Sequence, residues 1–253
     1  VNSIEEAIPG YIKIGKTSAN RTITDNNNCY SLQGAVYGIY KTRTDAQNGT
    51  NRVGTITTDA NGKGTSGELS LDRTYYIKEI TPSKGYELDI NVYSKKAKKL
   101  SELTDADAIS SSEPPQDDPA DIVLTKKDSE NNEPISGAIF EVRFYAQDSL
   151  VNGSVSETYF RRHWYLITDG DGKSRLDSDY LTIFNGNNSD ELYYDENSYP
   201  TFPLGYITIQ EVEAPVEYVL DNTVYTYKVT NHMLRTVTTN EAVEPSVSER
   251  PKK

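Results

Sequence analysis

The sequence predicts an all-β protein of two tandem β-sandwich domains, and three observations carry that expectation. The first is an internal repeat: residues 74–93 read TYYIKEITPSKGYELDINVY and residues 206–225 read YITIQEVEAPVEYVLDNTVY. Glu79, Pro82, Tyr86, Leu88, Asp89, Val92 and Tyr93 return as Glu211, Pro215, Tyr218, Leu220, Asp221, Val224 and Tyr225. The second is composition. Tyr (19) far outnumbers Phe (5), and Thr, Val and Ile fill short alternating runs, as half-buried strands require. The third is the stretch SSSEPPQDDPAD, rich in proline and small or acidic residues, which separates the two copies and reads as a linker. At 253 residues each half is long enough for its own core.

In chain order, VNSIEEAIPG shows no period and ends in Pro-Gly, so it is a leader or a strand lent to a neighbour. YIKIGKT alternates and begins the first strand; after a polar loop, YSLQGAVYGIY supplies the second. RVGTITTDANGKGTSGELSL holds a strand, an Asp-Ala-Asn-Gly turn suited to a hairpin and a return strand. TYYIKEIT follows, and KKAKKLSELTDADA after Tyr93 is a short helix or a charged edge. The second half restarts the order: IVLTKKD against YIKIGKT, PISGAIFEVRFY against YSLQGAVYGIY, WYLITDGDGKSRL against GTITTDANGKGTS. The expected boundaries are a first domain at 1–114, a linker at 115–120, a second domain at 121–246 and a tail at 247–253. The second copy is longer, and its extra residues fall in AQDSLVNGSVSETYFRR and LTIFNGNNSDELYYDENSYPTF, long loops of the kind that carry binding functions.

Each repeat places a glutamate inside a strand, Glu79 among Tyr76, Ile77 and Ile80, and Glu211 among Ile207, Ile209 and Val212. Such a carboxylate either faces water or is buried for a reason. A net charge of −12 argues against nucleic acid, whose binding needs basic patches. Cys29 is the single cysteine, so no internal disulfide forms; it has no His nearby in sequence and is set aside as a nucleophile. No apolar run approaches a membrane span and no signal peptide opens the sequence, which reads as a mature fragment whose targeting ends lie outside it. The Asp169-Gly-Asp171-Gly-Lys173 stretch lacks the later ligands of a calcium loop and is a hairpin turn; His163 and His232 are too separate for a metal centre. No metal or cofactor is expected.

Three ordered motifs now carry a resemblance: a first strand ending in KT or KKD, then LxGAxYxIY or ISGAxFEV, then YxxKE or TIQE followed by a proline and a tyrosine. Their recurrence in both halves resembles the CnaB-like (SpaA-type, prealbumin-like) domains of Gram-positive surface adhesins and pilins, which implies Ig-like β-sandwiches. In that family many domains carry a self-formed isopeptide bond between a first-strand Lys and a last-strand Asn or Asp, assisted by a buried acid. Burial disfavours both charges, which frees the amine to attack and lets the acid carry protons.

The resemblance implies Lys13, Glu79 and Asp107 as the candidates in the first domain, and Lys126, Glu211 and Asn240 in the second. Neither set is complete, because Lys13 lacks a clear acceptor and the place matching Lys13 in the second copy is Val123. The expectation is therefore of degenerate members in which most molecules carry no bond. The function expected is a structural stalk or display module of a secreted, cell-wall or cell-surface adhesin or pilin subunit, not an enzyme, with other domains or subunits of the same surface protein or pilus as partners. The alternative is a carbohydrate-binding module of a larger extracellular enzyme, using Tyr193, Tyr194 and Tyr199.

Overall fold

The computed structural model describes residues 7–118 and 124–231, and the backbone of 246–249. It divides into two compact units, the first of residues 1–21 and 30–115, the second of 116–253 together with 22–29.

Beside the short antiparallel pair Pro9–Gly10 with Leu69–Ser70, seven strands make the two main sheets of unit 1: β1 (Lys13–Ser18), β2 (Val36–Tyr40), β3 (Gly54–Thr57), β4 (Lys63–Thr65), β5 (Thr74–Thr81), β6 (Val92–Lys96) and β7 (Ile109–Glu113). They form a three-stranded sheet, β4-β1-β7, and a four-stranded sheet, β3-β2-β5-β6. Ile12, Ile14 and Ile109 from the first and Tyr37, Ile39, Ile56, Tyr75 and Ile77 from the second share one buried cluster, so the sheets are the two faces of a sandwich. Period-2 alternation decides who enters it. Ile12 just ahead of β1 and Ile14 and Lys16 on it point inward while Lys13 and Gly15 are only half-buried; on β5, Tyr75, Ile77 and Glu79 point inward.

Unit 2 repeats the plan with β8 (Leu124–Asp128), β9 (Ile139–Tyr145), β10 (Phe160–Ile167), β11 (Lys173–Ser174), β12 (Gly205–Glu213), β13 (Val224–Val229) and β14 (Ser246–Glu249). The sheets are β11-β8-β14 and β10-β9-β12-β13. The last strand corrects the expected tail at 247–253: Thr125↔Ser246 through Asp128↔Glu249 form a parallel ladder, so residues 247–249 complete the sandwich. The linker expectation also changes, because Pro115 bridges Tyr86 within unit 1 and Asp117–Asp118 pairs with Pro203 and Phe202 within unit 2. These residues are held by sheet bonds on either side of Gln116.

Two details recur in both units and position the site. A register shift falls between Val36 and Tyr37 opposite β5, and between Ile139 and Phe140 opposite β12, leaving Ile80 and Val212 as extra residues directly after the glutamates. The hairpin turn before β4 or β11 closes on the first strand: Lys16 N–H donates to the Gly62 carbonyl at 2.7 Å and Lys126 N–H to the Gly172 carbonyl at 2.7 Å. Both turns are held by an aspartate, Asp59 or Asp169, accepting from two backbone N–H groups of its own loop, as the hairpin expectation requires. Gly62 (φ +75°) and Gly172 (φ +69°) are left-handed, and a Cβ on either would collide with the carbonyl oxygen of the buried lysine.

The enlarged loops of unit 2 finish its core. The segment between β11 and β12 adds the short pair Tyr193–Tyr194 with Pro200–Thr201. It brings Tyr193 and Phe202 edge-on to the fully buried Trp164, with Tyr193 also against Phe144.

Two outcomes follow from this framework. Gly62→Ala, which adds a collision with the Lys16 carbonyl oxygen to left-handed strain of roughly 1–3 kcal/mol, should lower the melting temperature of unit 1 by about 4 °C or more, whereas Gly34→Ala, equally left-handed (φ +88°) but with open space around it, should cost less. A polypeptide of residues 116–253 should melt cooperatively, while one ending at 245 should melt roughly 10 °C lower or not fold, because β8 loses its parallel partner. Thermal circular dichroism checks both.

Candidate functional site

In both units the inward lysine of the first strand meets the inward glutamate of the opposite sheet. Lys16 Nζ lies 2.9 Å from Glu79 Oε1 and Lys126 Nζ lies 2.8 Å from Glu211 Oε1, all four side chains being essentially inaccessible. Each ammonium also sits over an aromatic ring, Tyr86 at 5.5 Å or Phe140 at 5.6 Å. An ion pair removed from water is costly unless its remaining valences are satisfied. Here the second carboxylate oxygen accepts a backbone bond from the aspartate ten residues on: Asp89 N–H to Glu79 Oε2 at 2.7 Å, Asp221 N–H to Glu211 Oε2 at 2.8 Å.

That contact explains the repeated motif. The Asp89 side chain accepts from Tyr93 OH and from the Asn91 amide groups, and Asp221 accepts from Tyr225 OH and Thr223 N–H. The glutamate fixes the turn, and the turn's aspartate and tyrosine fix each other. Burial pushes the Asp89 carboxyl up, but the hydrogen bonds from Tyr93 and Asn91 outweigh it and hold the group below the usual carboxylate range. Asp221 is held low in the same way, with Thr223 and Tyr225 as the donors and Lys126 adding its field. Tyr93, half-buried and hydrogen-bonded to a carboxylate, is pushed up to about 12.

Unit 1 contains a further acid from β7. Glu113 is buried, with Oε1 3.8 Å from Lys16 Nζ, and it accepts a hydrogen bond from Ser111 Oγ, which also contacts Tyr37 OH at 3.0 Å. Burial drives the Glu113 carboxyl up to about 7; Ser111 and Lys16 oppose the rise, while Asp89 and Glu79 reinforce it.

The structure places the other expected residues as follows. Lys13 is three positions from Lys16, an odd separation that puts it on the opposite face; its ammonium reaches the Leu103 carbonyl and Asp105, far from the Glu79 pair. Lys16 is the lysine that meets Glu79. Asp107 ends a short turn ahead of β7, where Lys98 and the Thr104 donors hold its carboxyl far below the ordinary range, away from Lys16. Lys126 and Glu211 are together, and Lys126 matches Lys16. Asn240 lies outside the described residues. Tyr193 is buried beneath the Arg162 guanidinium at 3.9 Å and belongs to the core, whereas Tyr194 and Tyr199 are exposed, so the three tyrosines do not form one binding face. Among the described residues no His, Cys, Asp or Glu group is arranged to hold a metal.

Sequence reasoning missed Lys16 and Glu113. Two signals mark them. The inward parity of Ile12-Ile14-Lys16 matches Leu124-Lys126, and Ser110-Ser111-Ser112-Glu113 has a counterpart in Ser246-Val247-Ser248-Glu249.

A search of curated proteins finds no match. Among solved structures the chain is similar to the Bacillus anthracis TIE protein at 18% identity and a TM-score of 0.59, covering 96% of this chain and 34% of that one, so it spans about a third of that protein's length. It is also similar to a streptococcal ancillary pilin, at 14% identity, covering 98% of this chain and 63% of that one with a TM-score of 0.35. GBS52, the minor pilin of Streptococcus agalactiae, is 15% identical over 96% of this chain and 97% of its own, with a TM-score of 0.32. The first of these likenesses is one of fold. The SpaA prealbumin-like fold domain matches residues 17–107 and again residues 120–242, and the chain belongs to that family, of which it carries two copies.

Proposed function

We propose that the chain is a structural stalk or display module of a Gram-positive cell-surface adhesin or pilin subunit, working outside the cell, without turnover chemistry, among other domains or subunits of the same surface protein. One observation carries this reading. In each unit the first and last strands of the three-stranded sheet are parallel neighbours, β1 with β7 and β8 with β14. When the chain is drawn from its two ends, parallel neighbours slide past each other, so every bond of that ladder is loaded at once. An antiparallel hairpin drawn from its open end breaks bonds one after another. Tension applied through the ends therefore meets the more resistant geometry, with a buried Lys–Glu pair joining the loaded strand to the opposite sheet.

Single-molecule pulling tests the reading. Drawn through the chain ends, each unit should unfold at a clearly higher force than when drawn through the β5–β6 or β12–β13 hairpin. Equal forces in the two directions would overturn the stalk reading, as would saturable glycan binding lost in Tyr194→Ala or Tyr199→Ala.

The buried pair gives a second expected outcome. Lys126→Met leaves Glu211 charged and uncompensated and should cost about 3–5 kcal/mol. Adding Glu211→Gln, which keeps the acceptor for Asp221 N–H, should restore more than half of that loss in urea unfolding.

A further inference from the structure

The two copies of the repeat treat one sheet edge differently. In the four-stranded sheet of unit 1 the edge strand β6 reads Val92-Tyr93-Ser94-Lys95-Lys96, and Lys98 and Lys99 follow just beyond it. Lysines along an edge deter a further strand from pairing there. The same strand in unit 2, β13, reads Val224-Tyr225-Thr226-Tyr227-Lys228-Val229. Tyr227 stands where Lys95 does, the residues are strong strand formers, and the ladder to β12 runs without a register shift.

The opposite edge of the same sheet is closed. A segment of the enlarged loop after β11 lies against β10: His163 N–H donates to Asp190 Oδ2 at 2.8 Å and Asp190 N–H to the His163 carbonyl at 2.9 Å. Tyr165 N–H donates to Ser189 Oγ at 2.9 Å, and Thr182 N–H to the Tyr165 carbonyl at 2.9 Å. β13 ends the sheet on the other side, and among the described residues no hydrogen bond runs to its outer edge.

The repeat also fixes which backbone groups turn outward. Ala97 N–H donates to the Arg73 carbonyl at 2.9 Å, so Ala97 and, by alternation, Lys95 and Tyr93 face β5. Their counterparts Val229, Tyr227 and Tyr225 face β12, which leaves the N–H and C=O groups of Val224, Thr226 and Lys228 directed at the open edge. The side chains of these three residues are exposed as well.

We propose that β13 pairs antiparallel with β13 of a second copy of this chain, joining two unit 2 sheets across a twofold axis at Thr226. The strand is complementary to itself in that register. Thr226 meets Thr226, Val224 meets Lys228, and Tyr225 meets Tyr227 at non-hydrogen-bonded positions, where cross-strand side chains come closest. The lysine stem covers the valine, and no two like charges stand opposite each other. One patch that serves both partners is what a closed twofold interface requires. A strand from a different protein would need no such self-match, so the match selects a second copy. The proposal goes beyond the stalk reading and does not depend on it.

Sedimentation equilibrium of the full chain, with amide hydrogen exchange at low and high concentration, tests it. A monomer–dimer equilibrium is expected between roughly 10 μM and 1 mM, with exchange at Val224, Thr226 and Lys228 slowed only at high concentration. Thr226→Lys sets like charges together on the axis and should weaken dimerisation about tenfold or more. Val224→Lys, opposite Lys228 of the second copy, should also weaken it, whereas Val224→Glu should strengthen it. Non-specific association of a chain of net charge −12 gives the reverse order, because added lysine lowers that charge and added glutamate raises it. Thermal melting checks that each variant folds, and if Thr226→Lys does not, the two Val224 variants decide. A chain monomeric up to about 1 mM would overturn the proposal. So would β13 protection that is independent of concentration, which would mean that the chain covers its own edge, or a dimer that protects other strands. Tighter association in Val224→Lys than in Val224→Glu would overturn it too. Each of these outcomes leaves the force comparison that tests the stalk reading untouched.

Discussion

The fold of each unit turns on one ammonium held between two sheets and out of water. Burying Lys16 or Lys126 is unfavourable by itself, and the surroundings are arranged to answer it: a glutamate from the opposite sheet, an aromatic face, and a turn whose backbone N–H occupies the glutamate's second oxygen. The register shift beside each glutamate recurs at the same place, where it lies next to the inward carboxylate. The glycine turns close over the lysine's own backbone. Distant parts of the sequence are thus committed to one interaction.

Much of this was legible from residues alone. Alternation and turn chemistry placed the strands, and the repeat showed that the plan occurs twice. Glu79 and Glu211 stood out because a carboxylate in an apolar run demands an explanation. The pairing of lysines was harder. Lys13 and Lys16 sit on one short strand, and choosing between them requires knowing which face is inward, which the flanking Ile12 and Ile14 encode only when read as a period of two. Asp107 and Tyr193 illustrate a different limit. Their residue types suit a reactive site or a binding face, but Asp107 is claimed by Lys98 and Thr104, and Tyr193 by Trp164 and Phe144. Such partners come from elsewhere in the chain, and no local pattern announces them.

The two units also differ instructively. Unit 1 packs Ser111 beside its acid cluster, linking Tyr37, Asp89 and Glu113 through one hydroxyl, and the register counterpart of Ser111 in unit 2 is Val247. Unit 2 invests its additional residues in aromatic packing around Trp164. One plan therefore tolerates a more polar interior in one copy and a more aromatic one in the other, because the lysine, the glutamate and the turn are retained.

Placing the partner of the first strand at the end of each unit has a consequence for how the protein is made. β1 and β8 meet an antiparallel neighbour, β4 or β11, midway through each unit, but the parallel partner β7 or β14 arrives only after nearly a full domain of chain. Until then the lysine side of the sandwich is open and its ammonium stays in water. Only completion of the final strand closes the site.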